Sequence, residues 1–212
     1  MSGHRLFAAL YDRMLSAQEK AGLRDMRAEL LAGASGRVLE LGAGTGLNLP
    51  HYSAAVTDLV LTEPDPHMAK RLRSRVEAAE LQFGVEVVEA GAEKLPFEDR
   101  SFDTAVSTLV FCTVPDPGQA AAEVARVLRP DGKLLLLEHV RGAREGRLTR
   151  WQDRLERPWG WVGAGCHPNR DTPANLSSSF DVSGLRPDRL PGSAPPIVKP
   201  LVRGAVRPLS TG

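Results

Sequence analysis

The sequence predicts a doubly wound α/β fold on one mostly parallel sheet of seven strands, and three observations carry that prediction. Short apolar runs alternate with segments of helical period from residue 36 to residue 141, which is how βαβ units are written. "KLLLLEHV" (133–140) is apolar on both faces, as a central strand must be when helices cover both sides of a parallel sheet. A glycine-rich turn, "LGAGTG", directly follows the first strand, where open parallel sheets hold their ligands.

The elements follow in order. Residues 5–32 are helical in period, with Leu6, Leu10, Met14, Leu23, Met26, Leu30 and Leu31 as the apolar positions. "GRVLELG" (36–42) is the first strand and "TDLVLTE" (57–63) the second, followed by a helix in "HMAKRLRSRVEAAELQ" (67–82). "VEVVEA" (85–90) and "SFDTAVSTLVF" (101–111) are the third and fourth strands. "DPGQAAAEVARVL" (116–128) is a helix with Pro near its start and "RPDG" as its stop signal before the fifth strand, 133–140. After Arg141 the texture changes: residues 142–212 hold more than half of the sixteen prolines and all three tryptophans. A helical insert is expected over 146–163, a short helix near 171–178, and two weaker strands near 180–186 and 200–207. The 212 residues suit one domain. It divides into a helical cap (1–35), a ligand-binding core (36–141), an insert (142–179) and the last two strands (180–212).

Composition removes several functions. Lys and Arg total 27 against 26 Asp and Glu, a net charge of +1 that makes no case for nucleic acid or acidic membranes. Aromatic content of 5% argues against a base-stacking surface. There is no apolar run of 18 residues and no secretory leader, so a cytoplasmic protein without stable membrane insertion is expected. Cys112 and Cys166 are far apart and form no CxxC pattern, which makes a disulfide framework or a metal site unexpected.

The glycine loop carries the functional signal. Its spacing is G-x-G-x-G at Gly42, Gly44 and Gly46, with Leu at position 47, whereas the dinucleotide fingerprint is G-x-G-x-x-G. It contains no Lys and no GK[ST], which removes a P-loop. By itself the run also suits a plain tight turn. Glu40, however, ends the first strand just before the loop, and Glu63 ends the second in "LVLTEPDP". A carboxylate at Glu63 can take both hydroxyls of one ribose. Two such acceptors suit a ligand with an ammonium group and a ribose diol, and they would repel a pyrophosphate.

With "VLELGAGTG", "LTEPDPHM", "GAEKLPFEDRSFD" and "EVARVLRPDGKLLLLEH" in this order, the chain resembles the class I S-adenosylmethionine-dependent methyltransferases of the small-molecule subgroup. The resemblance runs from about 36 to 141. It implies a Rossmann-like fold and S-adenosyl-L-methionine as cofactor. The backbone at Gly42, Ala43, Gly44 and Gly46 would pack against the methionine part and the ribose, with Asn48 and Pro64 as further cofactor contacts. Glu40 would lie near the methionyl ammonium through water, and Glu63 would hold the ribose hydroxyls. Ala92 and Glu93 would line the adenine. Relatives often carry Asp where this chain has Gly91, and Glu93 is the residue that could replace it. Thr108 and Leu109 would flank the sulfonium. Tyr11 would either close over the methionine moiety or pack on the sheet edge.

Methyl transfer is an in-line displacement on an activated carbon, so alignment and exclusion of water dominate and no triad is expected. A base matters when the acceptor must lose a proton, and a thiol with a pKa of ~8.5 needs little help. His139 and Glu138 close the fifth strand as candidate bases, and His167 lies in the insert. The segment "RWQDRLERPWGWVGAGCHPNRDT" (150–172) resembles that of methyltransferase-like alkyl-thiol S-methyltransferases and, more loosely, of bacterial phospholipid N-methyltransferases; "STLVFC", "LEHV" and "GCHPNRDT" keep the order. The membrane-anchoring leader of the eukaryotic thiol enzymes is not expected here. Trp151, Trp159 and Trp161 would wall the acceptor site, or only pack the insert onto the sheet. His167, Asn169, Arg170 and Asp171 would supply polar handles, or Asp171 would cap the short helix and Arg170 join an ion pair. Cys112 would line the acceptor side or serve as a small buried hydrophobe.

The expected activity is therefore methylation of a small molecule, first of a thiol. Amine or aminophospholipid N-methylation and natural-product O-methylation follow, and a catalytically silent adenosyl-ligand sensor is the reading from another class. A nicotinamide-dependent reductase is disfavoured by the glycine spacing. Nucleic-acid methylation is disfavoured because "STLVFC" stands where an N/D-P-P-Y/F sequence would be needed.

Overall fold

The computed structural model describes residues 16–143, 145–163 and 165–209. Helix α1 (Arg24–Leu31) is entered through a π-helical turn, Glu19–Leu23, in which Gly22 takes a φ of +127°. The expected continuous helix over 5–32 is thus broken at Gly22, and Tyr11 lies outside the described residues. Strands β1 (Gly36–Leu41), β2 (Val56–Thr62), β3 (Gly84–Val88), β4 (Phe102–Thr108) and β5 (Leu128–His139) run parallel in the order β3-β2-β1-β4-β5. Helices α2 (Pro66–Glu77) and α3 (Pro117–Val127) cross between strands. Each starts by the same device: Pro at the first helical position behind an Asp whose carboxylate accepts from first-turn amides. Asp65 takes His67 and Met68, and Asp116 takes Gln119.

The fourth strand stops at Thr108, three residues short of the expected end, because Leu109 adopts a φ of +62°. That conformation costs an L-residue about 1–2 kcal/mol, and the Leu109 amide is held there by the Leu137 carbonyl at 2.8 Å. "RPDG" ends α3 as expected but remains inside β5 as an irregularity: Phe102 pairs with Leu128, and Thr104 already pairs with Lys133.

Beyond β5, α4 (Arg147–Val162) and α5 (Thr172–Leu176) precede β6 (Phe180–Asp181), β7 (Leu185–Arg189) and β8 (Pro200–Pro208). Strand β8 is antiparallel to β5, and β6 and β7 both pair antiparallel with β8. They are two pieces of one outer strand, split where the Asp181 carboxylate accepts from the Ser183 amide and turns the chain through a 3₁₀ turn. The seven-stranded expectation is met with one strand broken in two. Asp171 caps α5 by accepting from Ala174, so "NRDT" is the start of a helix.

Both sheet faces are covered. Leu134 and Leu136 of β5 join Val124 and Val127 of α3 on one side, while Leu135 and Leu137 join Leu31 of α1 and Leu72 of α2 on the other. The strand order reverses between β1 and β4, which opens the ligand crevice at their carboxyl ends. Among the described residues no helix is long and apolar enough to cross a membrane.

Candidate active site

The crossover after β1 explains its glycines partly from within. Gly42, Gly44 and Gly46 have φ values of 51°, 59° and 84°, the region that only glycine enters freely. A Cβ at Gly46 would lie 2.8 Å from Leu49 and 2.9 Å from Leu72, and one at Gly42 would lie 3.0 Å from Val110. The positive φ therefore favours glycine at both positions before any ligand approaches, and a side chain there would also have to displace the methyl groups of Leu49 and Leu72 or press on Val110. The Gly44 amide donates to Glu63 Oε2 at 2.8 Å, and the Asp65 amide donates to Glu63 Oε1 at 2.9 Å. Glu63 thus clips the tip of β2 to the glycine turn, and each oxygen keeps a second lone pair. Burial raises its pKa.

Glu40 is the centre of a buried polar network. Its carboxylate accepts from Asn48 Nδ2 at 2.9 Å and from the Tyr52 hydroxyl at 2.6 Å. Arg27, 3% exposed, donates to Asn48 Oδ1 at 3.0 Å, to Thr108 Oγ1 at 3.1 Å and to Glu19 Oε1 at 3.0 Å. Asn48 also donates to Thr108 at 2.9 Å. Loss of hydration outweighs all these donors and pushes the Glu40 pKa to about 7. The network ties together Glu40, Asn48 and Thr108, three residues expected as separate cofactor contacts. It adds Arg27 and Tyr52, which the sequence reading missed. Arg27 carried a signal: it sits four residues from both Leu23 and Leu31, on the apolar stripe of its helix.

On the expected adenine side Ala92 is buried and Pro64 is exposed. The Glu93 Oε2 atom lies 3.0 Å from the point where a side chain at Gly91 would begin. The carboxylate of Glu93 therefore occupies the space that an Asp at position 91 would use.

The expected acceptor side lies around the tip of β5. Glu138 is fully buried; its Oε1 accepts from the Ser107 hydroxyl at 2.6 Å and from the Val110 amide at 2.8 Å. Its Oε2 has no partner of good hydrogen-bond geometry among the described residues, although the Phe111 and Cys112 amides also turn toward the carboxylate and hold its pKa down; burial outweighs them and raises the pKa to about 7. The His167 amide donates to the Cys112 carbonyl at 2.7 Å and so seats the insert on the loop after β4. The Cys112 and Cys166 thiols face each other there: the contact with Cys166 raises the Cys112 pKa, and the contact with Cys112 lowers that of Cys166. The charges of Glu138 and Arg170 both act on this pair. His167 Nδ1 lies 2.8 Å from Glu156 Oε1 of α4, which orients the ring. Asn169 donates to Asp153 at 3.1 Å.

Two expectations need correction. His139 adjoins Glu138 in a strand and so points to the opposite face; it is buried against the segment around Val198, and desolvation lowers its pKa to about 4. It is a poor base at neutrality, and Glu138 has the better-placed oxygen. Trp151 does not line the acceptor side: it is 48% exposed on the outward stripe of α4, and Trp161 is 93% exposed on the same stripe. Only Trp159 turns inward, where its indole favours the Cys166 thiolate. Among the described residues no group of three His, Cys, Asp or Glu could hold a metal.

A family model described as "Methyltransferase domain" matches residues 39–136. The human thiol S-methyltransferase TMT1B is 38% identical over 164 residues, which cover 76% of this chain and 66% of that protein. Phosphatidylethanolamine N-methyltransferase of Cereibacter sphaeroides is 34% identical over 161 residues, 72% of this chain and 75% of that protein. The chain belongs to the S-adenosylmethionine-dependent methyltransferase family.

Solved structures support the fold of this methyltransferase. Geranyl diphosphate C-methyltransferase from Streptomyces coelicolor gives a TM-score of 0.69 at 13% identity, over 88% of this chain and 80% of that one. The matched segment spans 66% of the human relative and 59% of the rat one. The cofactor of the family is S-adenosyl-L-methionine, and the residues present fit it. A buried carboxylate with a pKa of about 7 seeks a cation such as the methionyl ammonium. The side-chain-free turn clipped to Glu63 leaves backbone and carboxylate for a ribose.

Proposed function

We propose that this methyltransferase transfers the methyl group of S-adenosyl-L-methionine to the sulfur of a small thiol, with Glu138 as the proton acceptor. Glu40 would face the methionyl ammonium, Glu63 the ribose diol, and Ala92 with Glu93 the adenine. Bound in this way, the cofactor supplies an electrophilic carbon on its sulfonium. The observation that carries the reading is the unpartnered Glu138 Oε2, buried beside Cys112 at the tip of β5. With a pKa of about 7, it lies some 1.5 units below a free thiol at ~8.5, so taking the proton is uphill by about 2 kcal/mol. That is a small barrier for a transfer coupled to sulfur attack. The lining of Cys112, Cys166 and the Trp159 ring is soft and apolar, which suits a thiolate poorly matched to water. The human and rodent relatives are thiol S-methyltransferases, which points to the same acceptor atom.

The test is a panel of thiols, amines and phenols incubated with methyl-labelled cofactor. Label on thiols first supports the reading. Label on an amine or phenol with every thiol inert overturns the thiol assignment and leaves methyl transfer intact. N-methylation of an aminophospholipid is the second reading, favoured by the likeness to the Cereibacter enzyme.

A further inference from the structure

We infer that the outer face of α4 docks the protein on a membrane surface carrying anionic headgroups. The inference stands on this helix and survives failure of the thiol reading. Arg147, Trp151, Arg154, Pro158 and Trp161 recur at steps of three and four residues, so they share one side of the helix, flanked by Arg150 and Arg157. All of them are exposed, Trp161 to 93%. Two exposed tryptophans on one stripe are unusual for a face meant for water. Indole rings settle at headgroup level, and a helix with Arg and Trp on one side lies in that interface.

The charges on this face are uncompensated. Asp153 is engaged by Arg141 at 2.5 Å and by Asn169, and Glu156 is engaged by His167. Among the described residues none of Arg147, Arg150, Arg154 and Arg157 has an ion pair. The net charge of +1 for the whole chain hides this local excess. A surface depression of about 360 Å³ opens between Arg147, Arg150, Trp151, Asp153 and Arg154, with room for a phosphate group among three guanidinium groups.

The opposite side of α4 is fixed to the body of the protein. Leu148, Leu155 and Trp159 pack on the core, and the Gln152 amide reaches the carbonyls of Val140, Pro168 and Ile197 at 3.2, 2.8 and 2.9 Å. The helix therefore presents its outer face rigidly, and its C-terminal end leads to Cys166 at the acceptor side. An acceptor dissolved in the bilayer would meet the site from this edge. The docking is peripheral, since α4 is too short and too charged to span a bilayer.

The experiment is co-sedimentation of the full chain with vesicles of phosphatidylcholine, with and without phosphatidylglycerol, at low and high salt. Binding to the phosphatidylglycerol vesicles alone is expected, weakened by salt and accompanied by a blue shift of tryptophan emission. The double substitution Arg150→Gln/Arg154→Gln is expected to lose roughly 25-fold in partitioning, at about fivefold per charge removed. Trp161→Ser is expected to reduce the blue shift to the part that Trp151 supplies and to weaken the binding. Both variants keep the wild-type melting temperature and cofactor affinity. Equal partitioning to the two vesicle types, none to either, or an unchanged Arg150→Gln/Arg154→Gln variant overturns the inference. So does a Trp161→Ser variant that converts a dimer to a monomer and leaves vesicle binding unchanged, which assigns the face to a second copy of the chain.

Discussion

Binding of the cofactor should expel a proton from Glu40. Burial holds this carboxyl at a pKa of about 7 in the free protein, so about half of the molecules carry the proton at pH 7. An ammonium group placed beside the carboxylate returns the group toward its ordinary value of roughly 4.3. The protein then releases about 0.5 proton per cofactor bound at pH 7 and about 0.9 at pH 6. Linkage makes the affinity rise roughly fivefold from pH 6 to pH 7, below the range where the cofactor's own amino group titrates near ~8. Titration calorimetry in two buffers of different ionisation enthalpy measures the released proton directly. Glu40→Gln abolishes the release and weakens binding by roughly 10- to 100-fold, the range for a lost hydrogen bond to a charged group. A wild-type heat that is the same in both buffers at pH 6 refutes the placement of Glu40 against a cation.

Four further outcomes follow from the same geometry. Glu138→Gln should lower kcat for a thiol about 10²-fold at neutral pH and remove the acid limb of the profile near pH 7, with cofactor affinity unchanged by calorimetry. Glu40 and Glu138 both have folded pKa values raised to about 7 from 4.5; their contribution to stability is therefore complete below about pH 4.5 and lost as pH rises through 7, at most about 3 kcal/mol for each. Thermal melts of the cofactor-free protein should accordingly fall from pH 5 to pH 8, and Glu138→Gln should flatten the fall. Arg27→Met leaves Glu19, Asn48 and Thr108 without their shared donor and should cost about 3–5 kcal/mol, read by denaturant titration. Gly46→Ala forces a φ of 84° on an L-residue with its Cβ 2.8 Å from Leu49, and a loss of at least about 1–2 kcal/mol is expected in the same assay.

The strand and helix alternation was readable because the core elements repeat their period over several residues and two crossover helices announce their starts, at Asp65-Pro66 and Asp116-Pro117. The ends were less readable, because tertiary contacts set them. Thr108 ends β4 only through the bond from the Leu109 amide to the Leu137 carbonyl, 28 residues away. The carboxylates of the site stood at strand tips, where the fold places ligands, and so Glu40 and Glu63 were visible in one dimension. Arg27 reaches its partners across 21 and 81 residues; only its place on an apolar stripe hinted at the role. Trp151 and Trp161 were misplaced because a tryptophan in a segment beside an acceptor site invites an inward reading. The outward direction is set by Gln152, one residue on from Trp151, whose amide pins the other side of α4 to three carbonyls.

The choice of base shows where one-dimensional reading stops for physical reasons. Glu138 and His139 are neighbours, and a pleated strand sends them to opposite faces. The intrinsic chemistry favours His139, whose unperturbed pKa of ~6.5 suits neutral solution better than the ~4.3 of a glutamate. The fold inverts that order. Each group loses hydration on burial, and desolvation penalises whichever form is charged. A carboxyl is therefore pushed up, to about 7 at Glu138, and an imidazole is pushed down, to about 4 at His139. The same burial thus makes the acid the stronger proton acceptor of the pair. The alternation of β5 then gives it, rather than the histidine, the side with Ser107, the amide of Val110 and Cys112.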